Sequence, residues 1–308
     1  AVESALMECR VRDEVVVVDD GSTDDPAPTL PKDTRVRLIR QPPLGISAAL
    51  EHGRRHCKHP FIARLDADDV ALPGRIRLQL AAFEAEPRLG VVGGRAELIW
   101  DDMETPEGMI HYVNWVNGLK DLRPALLVES PLFHPAVLMR ADALDAVGGY
   151  RDLDLPEDYD LWLRLDRSGF LLSAVPDGVV RIRDRPNRLT RTHGRYRREA
   201  FDNAKKEWLL AALLQSPRQI VIWGAGRTGK RWLRWLLAHG HSVPAVVDVH
   251  CRTERQGVPV LEPEALSTLD AELLFVAVGT RGARARIRTR IGQLRPDWVE
   301  GVHWWALA

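Results

Sequence analysis

Phe61-Ile62-Ala63-Arg64-Leu65-Asp66-Ala67-Asp68-Asp69 is an apolar strand that ends in three carboxylates within four residues, and Pro73 closes the loop behind them. Like charges this close repel, and a strand end cannot give each its own basic partner. A hard divalent cation, Mg2+ or Mn2+, removes the conflict, because such ions take oxygen ligands and share them with a substrate phosphate. Taken alone, the motif is equally a solvated acidic turn. Two further acidic motifs weigh against that plainer reading.

Upstream, Glu14-Val15-Val16-Val17-Val18 is β-branched and too short for a core helix, the pattern of a strand buried on both faces. It runs into Asp19-Asp20-Gly21-Ser22, where Gly and Ser permit a sharp turn and leave Asp20 at the strand's carboxyl end. Ligands of open α/β sheets bind in the crevice outside those ends. A carboxylate there can accept hydrogen bonds from a ribose or a base edge. Downstream, in Leu155-Pro156-Glu157-Asp158-Tyr159-Asp160-Leu161-Trp162-Leu163-Arg164-Leu165, Pro156 marks a helix start. Leu161, Trp162 and Leu165 then form an apolar stripe at helical spacing. Helix capping alone would account for Glu157 and Asp158.

The segments VVVVDDGSTDD, RLDADDVALPGR and HPAVLMRADALDAVGGYRDLDLPEDYDLWLRL, in this order and spacing, resemble family 2 glycosyltransferases of the GT-A fold over about residues 1–200. The resemblance implies an α/β domain with a mixed, mostly parallel sheet that binds a nucleoside-diphosphate sugar. It implies that Asp20 contacts the nucleoside. Asp66 and Asp68, the DxD motif, would hold the diphosphate and a Mn2+ or Mg2+ ion, with Asp68 the direct ligand and Asp69 a neighbour without an assigned role. Asp158 would be the catalytic base, with Glu157 orienting the acceptor or the loop. One direct displacement would invert the anomeric centre, in polysaccharide or glycolipid synthesis on a saccharide or lipid-linked acceptor.

Weaker signals surround this core. Gly45, in Gln41-Pro42-Pro43-Leu44-Gly45, would let backbone approach the nucleotide, although a plain turn explains it as well. Relatives often carry Asn where Glu51 stands, so the resemblance assigns Glu51 no contact. Arg75 is expected to be a solvated helix residue, with a phosphate contact as the alternative. His134 is a candidate on the acceptor side, and Gly148-Gly149-Tyr150 reads as the turn that delivers the Glu-Asp loop. The basic run Arg181 to His193 is most simply a solvated face. It also resembles the family's terminal loop, in which Arg188 and His193 would close over the diphosphate. The same cations could touch anionic lipid head groups.

Family members normally open with a strand and a Tyr-Asn turn. Here Ala1-Val2-Glu3-Ser4-Ala5-Leu6-Met7-Glu8-Cys9 reads as the helix that follows them. The first strand is therefore expected to be absent from this chain, leaving its neighbours with exposed backbone donors.

The 308 residues suggest two domains, 1–215 and 216–308, the break falling at Ser216-Pro217. In the second, the strand Gln219 to Trp223 leads to Gly224-Ala225-Gly226-Arg227-Thr228-Gly229, an amphipathic helix from Arg231 to His239, and a strand from Val243 to Val247 ending in Asp248. This is the strand–GxGxxG–helix–strand–Asp order of a Rossmann-like fold. It makes Gly224, Gly226, Gly229 and Asp248 a candidate second nucleotide site. Tight turning and helix–strand packing explain the glycines too, and no Tyr-Lys pair or other hydride-transfer apparatus follows, so NAD(P) is the lesser reading. Trp298, Trp304 and Trp305 are expected in the core.

Composition sets the outer limits. With 43 Lys and Arg against 43 Asp and Glu, the chain gives no electrostatic case for nucleic acid. Three scattered cysteines, Cys9, Cys57 and Cys251, suggest a reducing compartment rather than a disulfide framework. No apolar run approaches a membrane span. A cytoplasmic protein, peripheral at the inner face of the plasma membrane, is the expectation. The competing classes are a non-catalytic nucleotide-binding or regulatory protein and an NAD-dependent oxidoreductase acting through the second domain.

Overall fold

The valine run folds as β1 (Val15–Asp19), whose one ladder partner among the described residues is the parallel β2 (Val36–Arg40). Val15 to Val18 are therefore half-buried, not enclosed on both faces as their composition suggested. A computed structural model of the chain describes residues 1–99, 106–250 and 253–308. They form two units, Ala1–Leu122 with Ser130–Trp208, and Arg123–Glu129 with Leu209–Ala308. The first unit thus ends a few residues before the Ser216-Pro217 break. The second also takes in a short piece, 123–129, that nothing in the sequence marks out. Of the cysteines, Cys9 and Cys57 are free thiols, and Cys251 lies outside the described residues.

The larger sheet of the first unit contains β3 (Phe61–Ala63), β4 (Val70–Ala71), β5 (Leu89–Ile99), β6 (Leu138–Arg140) and β7 (Leu171–Arg183), in the order β3-β6-β5-β7-β4. Only β5 and β7 run parallel in it; the other three pairings are antiparallel. Among the described residues parallel pairs predominate, so the fold is α/β with mixed, mostly parallel sheets. The helices are α1 (Val2–Glu8), α2 (Ile46–His56), α3 (Arg75–Ala85), α4 (Glu107–Asn117), α5 (Ala141–Ala146), α6 (Glu157–Arg167), α7 (Leu189–Thr192) and α8 (Arg198–Ala212). Gly93 and Gly94 in β5 have a packing reason. A Cβ on Gly93 would sit 2.5 Å from Leu132, and one on Gly94 2.6 Å from Val179.

Helix α6 is the element that carries the Glu-Asp pair. Pro156 (φ −60°, ψ 118°) starts it, three acids occupy its first turn, and Arg164 and Arg167 occupy its last, which complements the helix dipole at both ends. Tyr159, Leu161, Trp162 and Leu165 are fully buried, each worth about 1.5–3 kcal/mol relative to exposure. Gly169, in the left-handed region at φ +85°, turns the chain away. Arg164 bonds Asp160 within the helix and donates to the Val147 and Gly149 carbonyls, 2.6 and 2.8 Å. That bolts α6 to the turn ahead of it.

The second unit has β8 (Ile220–Trp223), α9 (Arg227–Ala238), β9 (Val246–Val247), β10 (Glu254–Arg255), β11 (Val258–Leu261), β12 (Leu273–Val276), α10 (Ala283–Leu294) and β13 (Trp304–Ala306). The strand order is β10-β11-β9-β8-β12-β13, parallel except for β10. Ile220 to Trp223 and Leu273 to Val276 are buried throughout, as centre strands of a parallel sheet must be. Trp298, Trp304 and Trp305 are core residues, 8%, 2% and 0% exposed. Helix α9 starts inside the glycine fingerprint, at Arg227, four residues ahead of the expected start.

Candidate active site

The loop after β3 holds the Asp66-Ala67-Asp68-Asp69 carboxylates, and the structure gives each a different environment. Asp66 pairs with Arg64, and Asp68 lies 3.4 Å from Arg185 Nε; both carboxylates keep about a third of their surface open, 35% each. Asp69 instead points inward at 1% exposure. Its Oδ1 accepts the Arg183 N–H at 2.8 Å, while Oδ2 is buried without a partner. Burial, and then the charges of Asp66 and Asp68, push its carboxyl up to about 6. The loop therefore carries more negative charge than its two arginines absorb.

That surplus, on hard oxygen donors at an open loop, suits Mg2+ or Mn2+ held by two carboxylates and completed by phosphate and water. Among the described residues no three His, Cys, Asp or Glu groups form a protein-only metal cage. The donor set thus fits a cation shared with a ligand and not one enclosed by protein. Asp69 is excluded from the ligand set by its inward aim.

Asp20 follows β1, and its carboxylate organises the loop opposite. Oδ1 accepts from Gln41 Nε2 at 2.7 Å and from the Leu44 N–H at 2.9 Å; Oδ2 accepts the Gly45 N–H at 2.9 Å. Gly45 sits in the left-handed region at φ +91° as the N-cap of α2, with no atom within 4 Å of where a Cβ would be. Its conformation, not crowding, requires glycine. Gln41 is itself oriented by His52, 2.7 Å away.

Glu157 and Asp158 open α6. Asp158 is half-buried; Oδ1 accepts the Tyr159 N–H at 2.7 Å, and Oδ2 faces Ser130 Oγ at 3.5 Å. Glu157 is buried, 3% exposed. The tyrosine Tyr196 donates to its Oε2 at 2.7 Å, and Arg195 Nη1 lies 3.7 Å from the same atom. His134 is enclosed, with Nε2 2.8 Å from Tyr150 Oη. Burial, reinforced by the Arg64 charge, drives its pKa well below the ordinary imidazole value. It is neutral, so its 3.9 Å approach to Glu157 is not an ion pair. His134 supports the Tyr150 turn instead of facing an acceptor.

The three motifs are tied by residues that sequence reading did not single out. Arg64 pairs with Asp66, and Arg183 and Arg185, on the segment that leads to Arg195, bond Asp69 and Asp68 of the same loop. Arg195 donates to Ser47 Oγ at 2.6 Å and so links Glu157 to α2, behind Gly45. Glu51, to which the sequence assigned no contact, accepts the Tyr150 N–H at 3.1 Å and holds Arg54 and Arg55. A Cβ on Gly149 (φ +66°) would lie 2.2 Å from Glu51 Oε2, so this glycine leaves the space in which the staple closes. Arg75 overturns its expectation as a solvated residue. It is 2% exposed and donates to the Arg64 and Val137 carbonyls, 2.8 Å each. Burial lowers its pKa to about 10, and it fastens the DxD strand to β6 from inside. Arg188 pairs with Asp184 at 3.6 Å.

In the second unit Asp248 does not stand free. Oδ2 accepts the Ala225 N–H at 2.6 Å and Oδ1 the His250 N–H at 2.9 Å, while Arg255 donates to the Ala225 carbonyl at 3.0 Å. A Cβ on Gly229 would lie 1.7 Å from the Gly224 carbonyl oxygen; at Gly226 nothing lies within 4 Å. Gly229 is thus demanded by helix–strand contact, and Gly224 by its φ of +119° and by the Ala277 carbonyl oxygen 3.1 Å from where a Cβ would be.

The Glycosyl transferase family 2 profile matches residues 1–148. The succinoglycan biosynthesis protein ExoU of Rhizobium meliloti is 30% identical over 240 residues, covering 72% of this chain and 68% of ExoU. The chain belongs to glycosyltransferase family 2. An uncharacterized glycosyltransferase of Haemophilus influenzae is 29% identical over 216 residues, 68% of this chain and 77% of that protein. The amylovoran biosynthesis glycosyltransferase AmsE of Erwinia amylovora is 30% identical over 140 residues, and this chain spans 51% of its length. The crystal structure of S. aureus TarS 1-349 with UDP-GlcNAc has a TM-score of 0.50 at 15% identity, over 77% of this chain and 66% of that one. The family 2 unit therefore has the GT-A type of α/β fold. Among the described residues no helix of this family 2 protein is long and apolar enough to cross a membrane.

Proposed function

We propose that this family 2 protein moves a sugar, with inversion, from a nucleoside-diphosphate donor to a hydroxyl on a saccharide or lipid-linked acceptor in surface polysaccharide or glycolipid synthesis. The observation that carries the reading is that Arg195 joins Glu157, next to Asp158, to Ser47 behind Gly45, while Arg183 and Arg185 on the same segment bond the DxD loop. The polysaccharide role follows from AmsE and ExoU, and the nucleotide-sugar donor from the UDP-GlcNAc bound by TarS. Action at the inner face of the plasma membrane would follow from a lipid-linked acceptor.

In this reading Asp20 and the Gln41–Gly45 loop receive the nucleoside. Asp66 and Asp68 face the diphosphate, and Arg185 and Arg188 lie on the segment that follows β7, within reach of the same charge. A divalent cation held by Asp68 and Asp66 would offset the negative charge that grows on the departing diphosphate. Asp158 takes the proton of the acceptor hydroxyl as its oxygen bonds to the anomeric carbon from the opposite side. The bond from that carbon to the diphosphate oxygen breaks in the same step, and the electron pair leaves with the nucleoside diphosphate. No enzyme nucleophile is needed.

The test is release of nucleoside diphosphate from a panel of UDP-, GDP- and dTDP-sugars with Mn2+ and oligosaccharide or polyprenyl-linked acceptors. Asp158→Asn is expected to lower kcat by about 10²–10⁴-fold while UDP still binds. Turnover at the wild-type rate in that variant would remove the assigned base.

A further inference from the structure

A carboxylate accepts about four hydrogen bonds, two on each oxygen, and in Asp20 three of those places are taken by the protein. Oδ1 holds both Gln41 Nε2 and the Leu44 N–H, and Oδ2 holds the Gly45 N–H. Among the described residues nothing fills the last place, on Oδ2. The loop is drawn onto this carboxylate at two points. The Gln41 N–H donates to the Asp19 carbonyl at 2.9 Å, just past the end of the β1–β2 ladder. Gly21, at φ +78°, makes room for Pro43, whose Cδ would lie 2.6 Å from a Cβ there. Asp19 closes its own turn on the Ser22 N–H at 2.9 Å and is 9% exposed, so Asp20 is the acid of the pair that a ligand can reach.

The Gln41 amide is held one way round. Its Nε2 is committed to Asp20, and its Oε1 meets His52 Nδ1 at 2.7 Å, so the imidazole carries a proton on Nδ1 and donates it. A flipped amide would set an oxygen against the carboxylate and an NH2 against that N–H. His52 is steadied on α2, where its ring meets that of His56 edge-on at a centroid distance of 4.5 Å. Gln41 spends one amide hydrogen on Asp20 and keeps the other. The two neighbouring side chains thus present one open acceptor and one open donor.

We infer that Gln41 and His52 determine which base Asp20 accepts: one with a single ring N–H beside a carbonyl, the imide edge of uracil or thymine, in preference to guanine. This rests on the reading of Asp20 as the nucleoside contact. An imide N–H fills the last place on Asp20, and the carbonyl beside it accepts the second Gln41 hydrogen. Guanine brings two adjacent donors, its ring N–H and its amino group, which a carboxylate matches by using both oxygens. Here Oδ1 is full, so the amino group lacks an acceptor, and an unpaired donor weakens binding. Cytosine and adenine set a ring-nitrogen lone pair against the negative carboxylate. His52 acts only through Gln41, as a positioning residue.

Calorimetric titration of the chain with UDP, dTDP and GDP, each with Mn2+, tests this without an acceptor or turnover. Wild type is expected to bind UDP and dTDP about tenfold or more tighter than GDP, the scale of one donor left unpaired. Gln41→Ala returns a place to Oδ1 and removes the donor, so the UDP and GDP affinities should come within about threefold of each other. His52→Ala leaves the amide free to turn and should narrow the same ratio by about threefold. A merely structural role would weaken all the nucleotides alike in both variants, and that result would overturn the inference. Equal wild-type affinity for UDP and GDP would overturn it while leaving the transferase reading standing. If none of the nucleotides binds the folded protein, the donor reading itself fails and the base selectivity falls with it.

Discussion

Two strand ends in this chain finish on an acidic residue beside a glycine-bearing loop, and the two use that acid differently. After β3, Asp66 and Asp68 reach outward, each with one arginine and open surface. After β9, Asp248 gives both oxygens to backbone N–H groups of Ala225 and His250. The first arrangement concentrates uncompensated charge, the condition for recruiting a cation or binding a ligand. The second spends its charge on closing a turn. A carboxylate at a strand end is therefore a candidate for chemistry only to the extent that the fold leaves its lone pairs unused. By the same measure Asp20 stands between the two, since its oxygens hold the Gln41–Gly45 loop and retain part of their acceptor capacity.

The sharpest way to break this contrast is to remove one acid from each side. Asp68→Ala is expected to weaken Mn2+-dependent UDP binding by about 100-fold or more, in the range that loss of a partner for a buried or focused charge produces. Asp248→Ala should leave that binding unchanged and cost about 1–3 kcal/mol of stability, the price of backbone donors left without acceptors. Calorimetric titration with UDP and Mn2+, paired with chemical denaturation, reads both. Equal effects of the two variants on UDP binding would erase the distinction.

The glycines give the next largest effect. Gly229→Ala brings a Cβ to 1.7 Å of the Gly224 carbonyl and should destabilise by about 3 kcal/mol or more, at the upper end of overpacking costs. Gly226→Ala meets nothing within 4 Å at an ordinary φ of −72°, and its midpoint of unfolding should hardly move. If Gly226→Ala instead abolished a nucleotide-induced thermal shift, the second unit would be a binding site and the contrast would need redrawing.

The third test is the pH signature of Asp69. Its carboxyl is raised from 3.8 to about 6, so the folded state holds a proton that the unfolded state gives up. Stability must then fall as pH rises from about 4 to about 6, and the full penalty applies above that. Asp69→Asn keeps the acceptor for the Arg183 N–H and removes the charge. With EDTA present it should gain about 2–3 kcal/mol at pH 8, from two units at about 1.4 kcal/mol each. The gain should fade below pH 6 and vanish near pH 4. A gain independent of pH would mean that Asp69 is not the titrating group.

Local signals were legible in proportion to how local their causes are. Pro156 and the acids after it announced the start of α6 to within one residue. The alternation-free Val and Ile runs announced β1 and β8. The glycine fingerprint placed the β8–α9 turn, although α9 starts earlier because Arg227, Thr228 and Gly229 are already helical. The misreadings concern partners. Arg75 looked solvated because its helix pattern says nothing about two carbonyls at Arg64 and Val137 that await a donor. Glu51 was given no role because its partner N–H, at Tyr150, lies 99 residues away.

From the amino-acid order came the acidic strand end, the helix start marked by Pro156 and the glycine turns, since backbone sterics, capping and hydrophobic period act over a few residues. Left to the folded chain was the assignment of each charge to its counterion. Arg64 meets Asp66, Arg185 meets Asp68, and Arg195 reaches Ser47 across 148 residues while Tyr196 takes Glu157. Electrostatic partners are set by distance in space, which no short-range pattern encodes, and it is those pairings that decide which carboxylates remain free to act.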